Sequence, residues 1–329
     1  MTALAPTLEA FFTERLVSQR RASPNTIAAY RDAFRLLLRF IQDTTGTPPA
    51  KLQLENLDAP LIGAFLDHLE VERRVAVSTR NARLAAVHSL FRFAALRHPE
   101  HAALIQRVLA IPAKRTDRGV VCYLTRGEID ALLAAPDLST RIGRRDRAML
   151  LVAIQTGLRV SELTALRCSD VTLGTGAYVR CLGKGRKQRC TPLTAQTVAV
   201  LKAWLAERVG QGSDPLFPGP RGVPLGRDAV RRLVKRHAAT AAGTGASIAT
   251  KGVSPHTLRH SAAMQLLQSG VDCSVIALWL GHESIRTTDI YQHADLQMKE
   301  RALARVAPPN TAPGRYRPTD ALLAFLEGL

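Results

Sequence analysis

The segment HTLRHSAAMQLLQSG, residues 256–270, places an imidazole beside a guanidinium. It follows Pro255 and closes at Gly270, and these two residues are typical start and stop signals of a helix. His256 and Arg259 are three positions apart, and residues with that spacing lie on the same helix face. The arginine offers a fork of N–H donors that fits a phosphate, and the histidine can donate or accept a proton. This face therefore predicts a phosphate site.

A second histidine and a tyrosine follow soon after this helix. His282 comes directly after Gly281, and Tyr291 lies nine residues later. On one unbroken helix these two side chains would project on opposite sides, because each residue advances the helix by about 100°. A break near residues 283–284 is therefore expected to turn the chain and bring both into one pocket. Taken alone, each is more often a packing residue with a hydrogen-bonded tip, so the hypothesis depends on the combination.

The charge of the chain indicates a polyanionic partner. Its 329 residues carry 45 Lys and Arg against 27 Asp and Glu, a formal net charge of +18. Nucleic acid is the first candidate for such a partner, and a membrane surface is the second. No apolar run approaches the ~18 residues of a spanning helix and no signal-peptide pattern is present, so we expect a soluble cytoplasmic protein. The five cysteines are scattered without a CxxC pair, which indicates packing thiols and offers no zinc site.

Residues 1–110 are predicted to form a helical domain with basic outer faces. Apolar residues recur at helical spacing in several segments, namely 7–19, 24–42, 59–73, one that begins at Ser78, and a shorter one over 100–109. Arginines on the outer faces are expected to contact DNA phosphates, although such rows are also typical of a solvated surface. These arginines are Arg31, Arg35, Arg39, Arg80 and Arg83. The charged segment 111–119 has no apolar period and is expected to be a linker.

Residues 120–307 are predicted to form a second domain with a β-hairpin among helices. The hairpin comprises AYVRCL and QRCTPL, joined by the turn GKGRK at 183–187. A helix over 226–241 carries Arg227, Arg231 and Lys235 in one row, and we expect this row to contact DNA. Residues 308–329 form a Pro-rich and Gly-containing tail that ends in an apolar helix, which needs a groove because it is too short to be stable alone.

Five short motifs occur in order: TGLRVSEL, LGKGRKQR, HTLRH, LGH and TTDIY. Together they resemble the signature of the tyrosine recombinases, the integrase-like and Xer-type enzymes. The similarity covers the whole second domain, and the helical first domain resembles that family's core-binding module. The resemblance implies a two-domain DNA clamp, mainly α-helical with a small β-hairpin, that recombines DNA at specific sites. The implied catalytic residues are Arg159, Lys184, His256, Arg259, His282 and the nucleophile Tyr291.

The resemblance also implies partners, a cofactor requirement and a location. Strand exchange between two duplexes needs four active sites, so the expected assembly is a tetramer on double-stranded DNA, with a related recombinase or an accessory protein as a further possible partner. No metal or cofactor is expected, and the protein would act at the bacterial nucleoid. The tail helix resembles the C-terminal segment that related recombinases pass between subunits. Donation to a neighbouring subunit is therefore preferred to docking on its own domain.

The residue types suit this chemistry on physical grounds. A tyrosine hydroxyl that attacks a phosphodiester retains the backbone bond energy in a phosphotyrosine, so rejoining needs no ATP. Ionising that hydroxyl at pH 7 costs about 4 kcal/mol, because its ordinary pKa is about 10, unless a base or nearby cations help. Arg159 and Arg259 can clamp the two non-bridging oxygens and neutralise the charge that grows in the transition state. Two guanidiniums can thus replace a metal pair.

The sequence leaves several residue roles open. Lys184 can serve as the general acid for the leaving 5′ oxygen, with Lys187 as its rival. Either His256 or His282 can handle the tyrosine proton or hold the phosphate. Glu162 can orient Arg159, but an ordinary surface ion pair at that spacing is nearly as common.

Other functions also remain open. A type IB topoisomerase uses similar chemistry, and a DNA-binding protein with a silent site fits the same charges. A metal-dependent nuclease is disfavoured because the cluster has no carboxylate set for magnesium.

Overall fold

A computed structural model describes residues 2–116, 121–183, 188–208, 210–243 and 247–282. The predictions for Lys184, Lys187, Tyr291 and the tail helix lie outside these residues. The chain divides into two compact units, Met1–Arg118 and Gly119–Leu329.

The first unit is helical. It begins with α1 (Leu4–Ala10), which continues into a π-helical segment, Phe11–Gln19. The four further α-helices are α2 (Pro24–Thr45), α3 (Ala59–Val71), α4 (Val77–Arg97) and α5 (Ala102–Leu109). Helix α2 begins as predicted, with Pro24 in its first turn and the Ser23 side chain accepting a hydrogen bond from the Thr26 N–H. It ends at Gly46, whose φ of 70° is a left-handed conformation that glycine adopts readily.

An aromatic cluster fills the core of the first unit. The ring of Phe11 is fully buried and lies about 6 Å from four other rings, those of Phe12, Tyr30, Phe34 and Phe93. Each ring removes a large apolar area from water, and ring pairs at these separations add to the stabilisation. The cluster joins the π-helical segment to α2 and α4, so it holds α2 and its outer arginines on a rigid base.

Part of the predicted linker packs on the first unit. The amide of Asn81 donates to the carbonyl of Lys114 (2.8 Å), and the Lys114 ammonium contacts Glu70 (2.5 Å). The Arg80 guanidinium donates to the carbonyl of Pro112 (3.2 Å) and lies 3.7 Å from Glu70. Residues 112–114 are therefore docked on α3 and α4. The sequence did not predict these contacts, because this segment has charges but no apolar period.

The second unit contains seven α-helices and three strands among its described residues. The helices are α6 (Arg126–Ala134), α7 (Arg141–Thr156), α8 (Val160–Ala165), α9 (Ala195–Arg208), α10 (Arg227–Ala242), α11 (Pro255–Gln268) and α12 (Cys273–Leu280). Helix α7 lies at the centre, where it packs against α6, α9 and α11 and is buried along most of its length. Helix α6 opens with a capping box, in which Thr125 and Glu128 each accept a hydrogen bond from the other's backbone N–H.

A small antiparallel sheet flanks these helices, with strand order β1-β2-β3. Strands β2 (Tyr178–Leu182) and β3 (Gln188–Pro192) are the arms of the predicted hairpin, and Val179 pairs with Thr191. The two-residue β1 (Val171–Thr172) was not predicted, because a strand of this length carries no sequence period. The prediction of a mainly helical fold with a small β-sheet is confirmed. Within the described ranges no helix is both long and apolar enough to cross a bilayer.

Candidate active site

Arg159 lies in the short connection between the central helix α7 and helix α8. Helix α7 ends at Gly157, whose φ is 62°, and Arg159 is the N-cap residue of α8. Its guanidinium donates to Glu162 Oε1 (3.0 Å) and to the carbonyl of Gly281 (3.1 Å). Its backbone N–H donates to Glu162 Oε2 (2.8 Å). Glu162 therefore holds Arg159 by both main chain and side chain, and its bond to the Arg159 N–H is the one that a Glu at the third position of a helix makes to the N-cap residue.

Glu162 also binds a second arginine, which the sequence analysis did not identify as a site residue. Arg189 of β3 donates from Nη1 to Oε1 (3.0 Å) and from Nη2 to Oε2 (2.7 Å) of Glu162. Burial alone would raise the pKa of Glu162, but hydrogen bonds from Arg189 and from the Arg159 backbone hold it below its usual value. A signal was present in the sequence: Arg189 shares a strand face with Thr191, which is buried, and a charge on an inward face needs a partner.

Arg259 is the most buried cation of the site. It is 4% exposed and projects from α11, where its guanidinium donates to the carbonyls of Gly157 (2.6 Å) and Leu280 (2.8 Å). Glycine suits this junction, because the φ of 62° is left-handed and a Cβ there would lie 2.5 Å from the Leu280 side chain. Arg259 thereby joins the ends of α7 and α12.

The two predicted arginines converge on one helix end. Arg259 donates to the carbonyl of Leu280, and Arg159 donates to that of the next residue, Gly281. The last carbonyls of a helix have no partner within it and carry partial negative charge, so they attract guanidiniums. The C-terminus of α12 thus brings together two side chains that are far apart in sequence.

The chain turns at this same helix end. Gly281 has φ 65°, and the N–H of His282 donates to the carbonyl of Ala277 (2.9 Å). The turn comes two residues before the expected break at 283–284, and those positions lie outside the described residues. Burial, followed by the charges of Arg259, Arg159 and Arg189, lowers the pKa of His282 to about 4. His282 is therefore neutral at pH 7.

The first motif histidine lies at the surface of α11. His256 is exposed, and its ring stacks on that of His260 with 5.9 Å between centroids. Burial, followed by the charges of His256 and Arg259, lowers the pKa of His260 to about 4. His256 and Arg259 thus differ in burial although they are three positions apart. The outer histidine faces solvent, and the arginine lies in the interior.

A cavity of about 340 Å³ opens beside Arg159 and His256. Two cations from the N-terminal half of α10, Arg227 and Arg231, also line it, together with Asp228. The cavity therefore places the start of the predicted basic row next to the predicted catalytic residues. The third member of that row, Lys235, is exposed one turn further along α10.

The predicted DNA-contacting arginines of the first unit differ in their surroundings. Arg31, Arg35 and Arg39 are exposed on α2. Arg31 and Arg35 both lie close to Asp32, at 3.1 and 3.9 Å, so this carboxylate offsets part of their charge.

The two predicted arginines of α4 have partners within the unit. Arg83 is half-buried and donates to the carbonyl of Ala29 (2.9 Å). Arg80 departs from the expectation of an outward side chain. It is only 6% exposed and holds Pro112 and Glu70, because it lies on the face of α4 that packs against the start of the linker.

Comparison with known proteins gives concordant matches. The phage integrase family profile matches residues 123–298, and the phage integrase N-terminal SAM-like domain matches residues 10–98. The y4rC protein of Sinorhizobium fredii, a presumed integrase/recombinase, is 54% identical over 327 residues, which cover 99% of this chain and 98% of its own. Tyrosine recombinase XerC of Pelobacter propionicus is 33% identical over 303 residues, covering 92% of this chain and 95% of its own.

A solved structure shares the fold. The XerH site-specific recombinase, crystallised on its palindromic difH substrate in a post-cleavage complex, has a TM-score of 0.67 at 23% identity. The match covers 88% of this chain and 82% of that one.

Proposed function

This chain belongs to the phage integrase family of tyrosine recombinases and is a site-specific DNA recombinase of the Xer type, and we propose that it acts through Tyr291. The Tyr291 oxygen would attack a DNA phosphodiester, form a 3′-phosphotyrosine bond and release the 5′ oxygen. Attack by that 5′ oxygen, from the same or another duplex, then breaks the phosphotyrosine bond and restores the strand. The family assignment favours recombination over the topoisomerase and over a silent DNA-binding protein.

The observation that carries the proposal is the convergence of Arg159 and Arg259 on one end of α12. Their guanidiniums donate to consecutive carbonyls, and His282 follows directly in the chain. Such a pair of guanidiniums gives a phosphodiester two cationic contacts in a partly buried place. Charge that develops on the non-bridging oxygens is stabilised most by donors already held in position. We assign this role to both arginines.

The remaining roles follow from charge and protonation. His282 is neutral at pH 7, so it can accept a hydrogen bond from the Tyr291 hydroxyl or donate one to the phosphate. A bound phosphate would supply negative charge that offsets the arginines and so raises the pKa of this histidine. His256 lines the cavity beside Arg159 and is suited to contact the same phosphate. Lys184 is proposed as the general acid that protonates the leaving 5′ oxygen.

The proposed substrate is duplex DNA held on basic surfaces of both units. The exposed row Arg227, Arg231 and Lys235 begins at the cavity, where neighbouring phosphates of the cleaved strand would lie. Arg31, Arg35 and Arg39 would contact a further stretch of backbone. We propose further that the enzyme works as a tetramer on DNA, joined through the tail helix, and acts at the nucleoid.

A trapping experiment tests the proposal. The protein is incubated with a library of genomic DNA fragments and denatured, and the DNA that stays covalently attached is sequenced. We expect fragments that share one sequence and end at one phosphodiester, with attachment unaffected by a metal chelator. Tyr291→Phe should abolish attachment and leave DNA affinity nearly unchanged, because it removes a single hydroxyl. If the Tyr291→Phe protein still attaches to DNA, another residue is the nucleophile.

A further inference from the structure

We propose that Arg189 is a positioning residue for strand cleavage, acting through Glu162 on the guanidinium of Arg159. This inference rests on the proposed function, since it takes Arg159 to be a phosphate-binding residue. It adds to the site a third arginine, which lies on β3 at the end of the LGKGRKQR motif. The residue roles implied by the motifs do not include it. Three features support this role: the hydrogen bonds that Glu162 accepts, the net charge of the site, and the position of Gly281 beside Arg189.

Glu162 forms the bridge between the two arginines. Its Oε1 accepts from Nη1 of Arg159 and Nη1 of Arg189, both at 3.0 Å. Its Oε2 accepts from the Arg159 backbone N–H at 2.8 Å and from Nη2 of Arg189 at 2.7 Å. The Glu162 side chain is 4% exposed and that of Arg189 is 12% exposed, so water screens these bonds little. Arg189 thus fixes the carboxylate that fixes Arg159.

Charge balance gives Arg189 a second effect on the site. With Arg189 absent, the Glu162 carboxylate would be paired with Arg159 alone and would offset its positive charge. With Arg189 present, the three guanidiniums of Arg159, Arg189 and Arg259 outnumber the one carboxylate by two charges. A phosphodiester under attack gains negative charge on its non-bridging oxygens, and a positive excess at the site favours that state. Arg189 therefore leaves Arg159 available for a phosphate as well as holding it.

Gly281 places Arg189 against the helix end where the other two arginines meet. A Cβ on Gly281 would lie 2.7 Å from Nη1 of Arg189, closer than such atoms approach. The carbonyl of this same glycine accepts from Arg159. The glycine therefore has two functions at this point: its φ of 65° turns the chain, and its lack of a side chain admits the Arg189 guanidinium. Arg189 therefore lies beside the helix end that Arg159 and Arg259 contact, and it binds Glu162 directly.

The test compares cleavage with binding in Arg189→Gln and Arg189→Lys. The rate of covalent complex formation is measured at saturating DNA, with the DNA Kd and the thermal midpoint measured in parallel. We expect Arg189→Gln to slow cleavage at least about tenfold, less than the 10²- to 10³-fold typical of losing a direct donor. The Kd should change less than about twofold, since Arg189 is predicted to act on the reacting state. Arg189→Lys keeps the charge but loses the fork, so it should be intermediate.

The double variant Glu162→Gln with Arg189→Gln separates positioning from folding. It leaves no unpaired buried carboxylate, so it should fold even if Arg189→Gln does not. We expect it to cleave faster than Arg189→Gln, because Glu162 no longer offsets Arg159, yet slower than the natural protein, because Arg159 is less fixed. A folded double variant that cleaves at the natural rate would overturn the inference.

Two controls distinguish this inference from the proposed function. Arg144→Gln removes another bidentate pair, the one that Arg144 forms with Glu207 at 2.7 and 2.8 Å, near the opposite end of α7. It should leave the cleavage rate unchanged. If Arg159→Ala slows cleavage by about 10²- to 10³-fold and Tyr291→Phe abolishes it while Arg189→Gln cleaves normally, the function stands and the role of Arg189 is refuted. If Tyr291→Phe still forms the covalent complex, the proposed function fails independently of Arg189.

Discussion

The two arginines that converge at the end of α12 are held in different ways. Arg259 is 4% exposed and satisfies the carbonyls of Gly157 and Leu280. The Arg159 side chain is 30% exposed and is held chiefly by Glu162. Removing Arg259 would leave two buried carbonyls without partners, at about 1–3 kcal/mol each. The same substitution should therefore have different consequences at the two positions.

We predict that Arg159→Ala and Arg259→Ala both slow cleavage by about 10²- to 10³-fold, because each removes a donor to the transition state. Only Arg259→Ala should also lower the free energy of unfolding by more than about 1 kcal/mol. Single-turnover cleavage and urea unfolding measure the two effects separately. A change in cleavage below threefold would exclude the substituted arginine from the site.

His260 and His282 make stability depend on pH. Both have a folded-state pKa of about 4, while the unfolded value is about 6.5. As the pH falls below 6.5, the unfolded chain binds protons that the folded protein excludes until about pH 4. Stability is therefore complete above about pH 6.5 and declines between pH 6.5 and 4.

Urea unfolding at pH 7.5, 5.5 and 4.5 checks this dependence. The midpoint should fall with pH across this range, and it should fall less in His260→Gln, which has no imidazole to protonate. The buried carboxylates Glu128, Asp146 and Glu162 have lowered pKa values, so they stay ionised in the folded protein through this window. An equal decline in the variant would show that His260 does not titrate as inferred.

At the scale of elements, α10 joins the cavity to the outer surface. Its inner face is buried through Val230, Leu233 and Val234. It is also held by His237 and Arg236, which lie 2.9 and 2.8 Å from the buried Asp146. Arg236 is exposed but pairs with Asp146, while Arg227, Arg231 and Lys235 are exposed on the outer face. The helix supports a rigid basic row that ends at the site.

Replacing Arg227, Arg231 and Lys235 by Gln should make DNA binding less dependent on salt. Each phosphate contact contributes about 0.9 to the slope of log K against log salt, so the slope should fall by about 2 to 3. Equilibrium binding between 50 and 300 mM salt measures it. Arg126→Gln is a control, because this exposed arginine lies 3.5 Å from Asp130 on α6 and has no predicted DNA contact. An unchanged slope in the triple variant would mean that the row is merely solvated.

At the scale of the whole molecule, the tail is predicted to link subunits. Its apolar positions are Leu322, Leu323, Phe325, Leu326 and Leu329. Residues 307–318 are expected to act as a tether that can span about 30 Å, enough to reach its own domain or a neighbour's. Deleting residues 310–329 should preserve folding and DNA affinity but abolish cooperative assembly and strand exchange. Sedimentation with and without DNA checks this, and aggregation of the truncated monomer would instead show that the helix completes its own domain.

The sequence alone determined the features that depend on local signals. The caps at Ser23 and Thr125, the arms of the hairpin and the helix that opens at Pro255 all follow from residues within a few positions of one another. The motif order was enough to indicate the family, because each motif is a short contiguous stretch. The net charge of +18 indicated a polyanionic partner without any knowledge of the fold.

Only the tertiary structure decided how these features meet. Arg159 and Gly281 are 122 positions apart, and Arg259 and Gly157 are 102 apart, so no local pattern predicts their contacts. The partners of the inward Arg80 and of the bridging Arg189 are likewise decided by the tertiary structure, because they depend on which elements pack beside each arginine. The inward strand face of Arg189 indicates that it needs a partner, but only the packing of β3 beside α8 and the end of α12 makes Glu162 that partner. A buried charge needs a partner, because leaving it unpaired away from water costs free energy. Which charges are buried is known only from the folded chain.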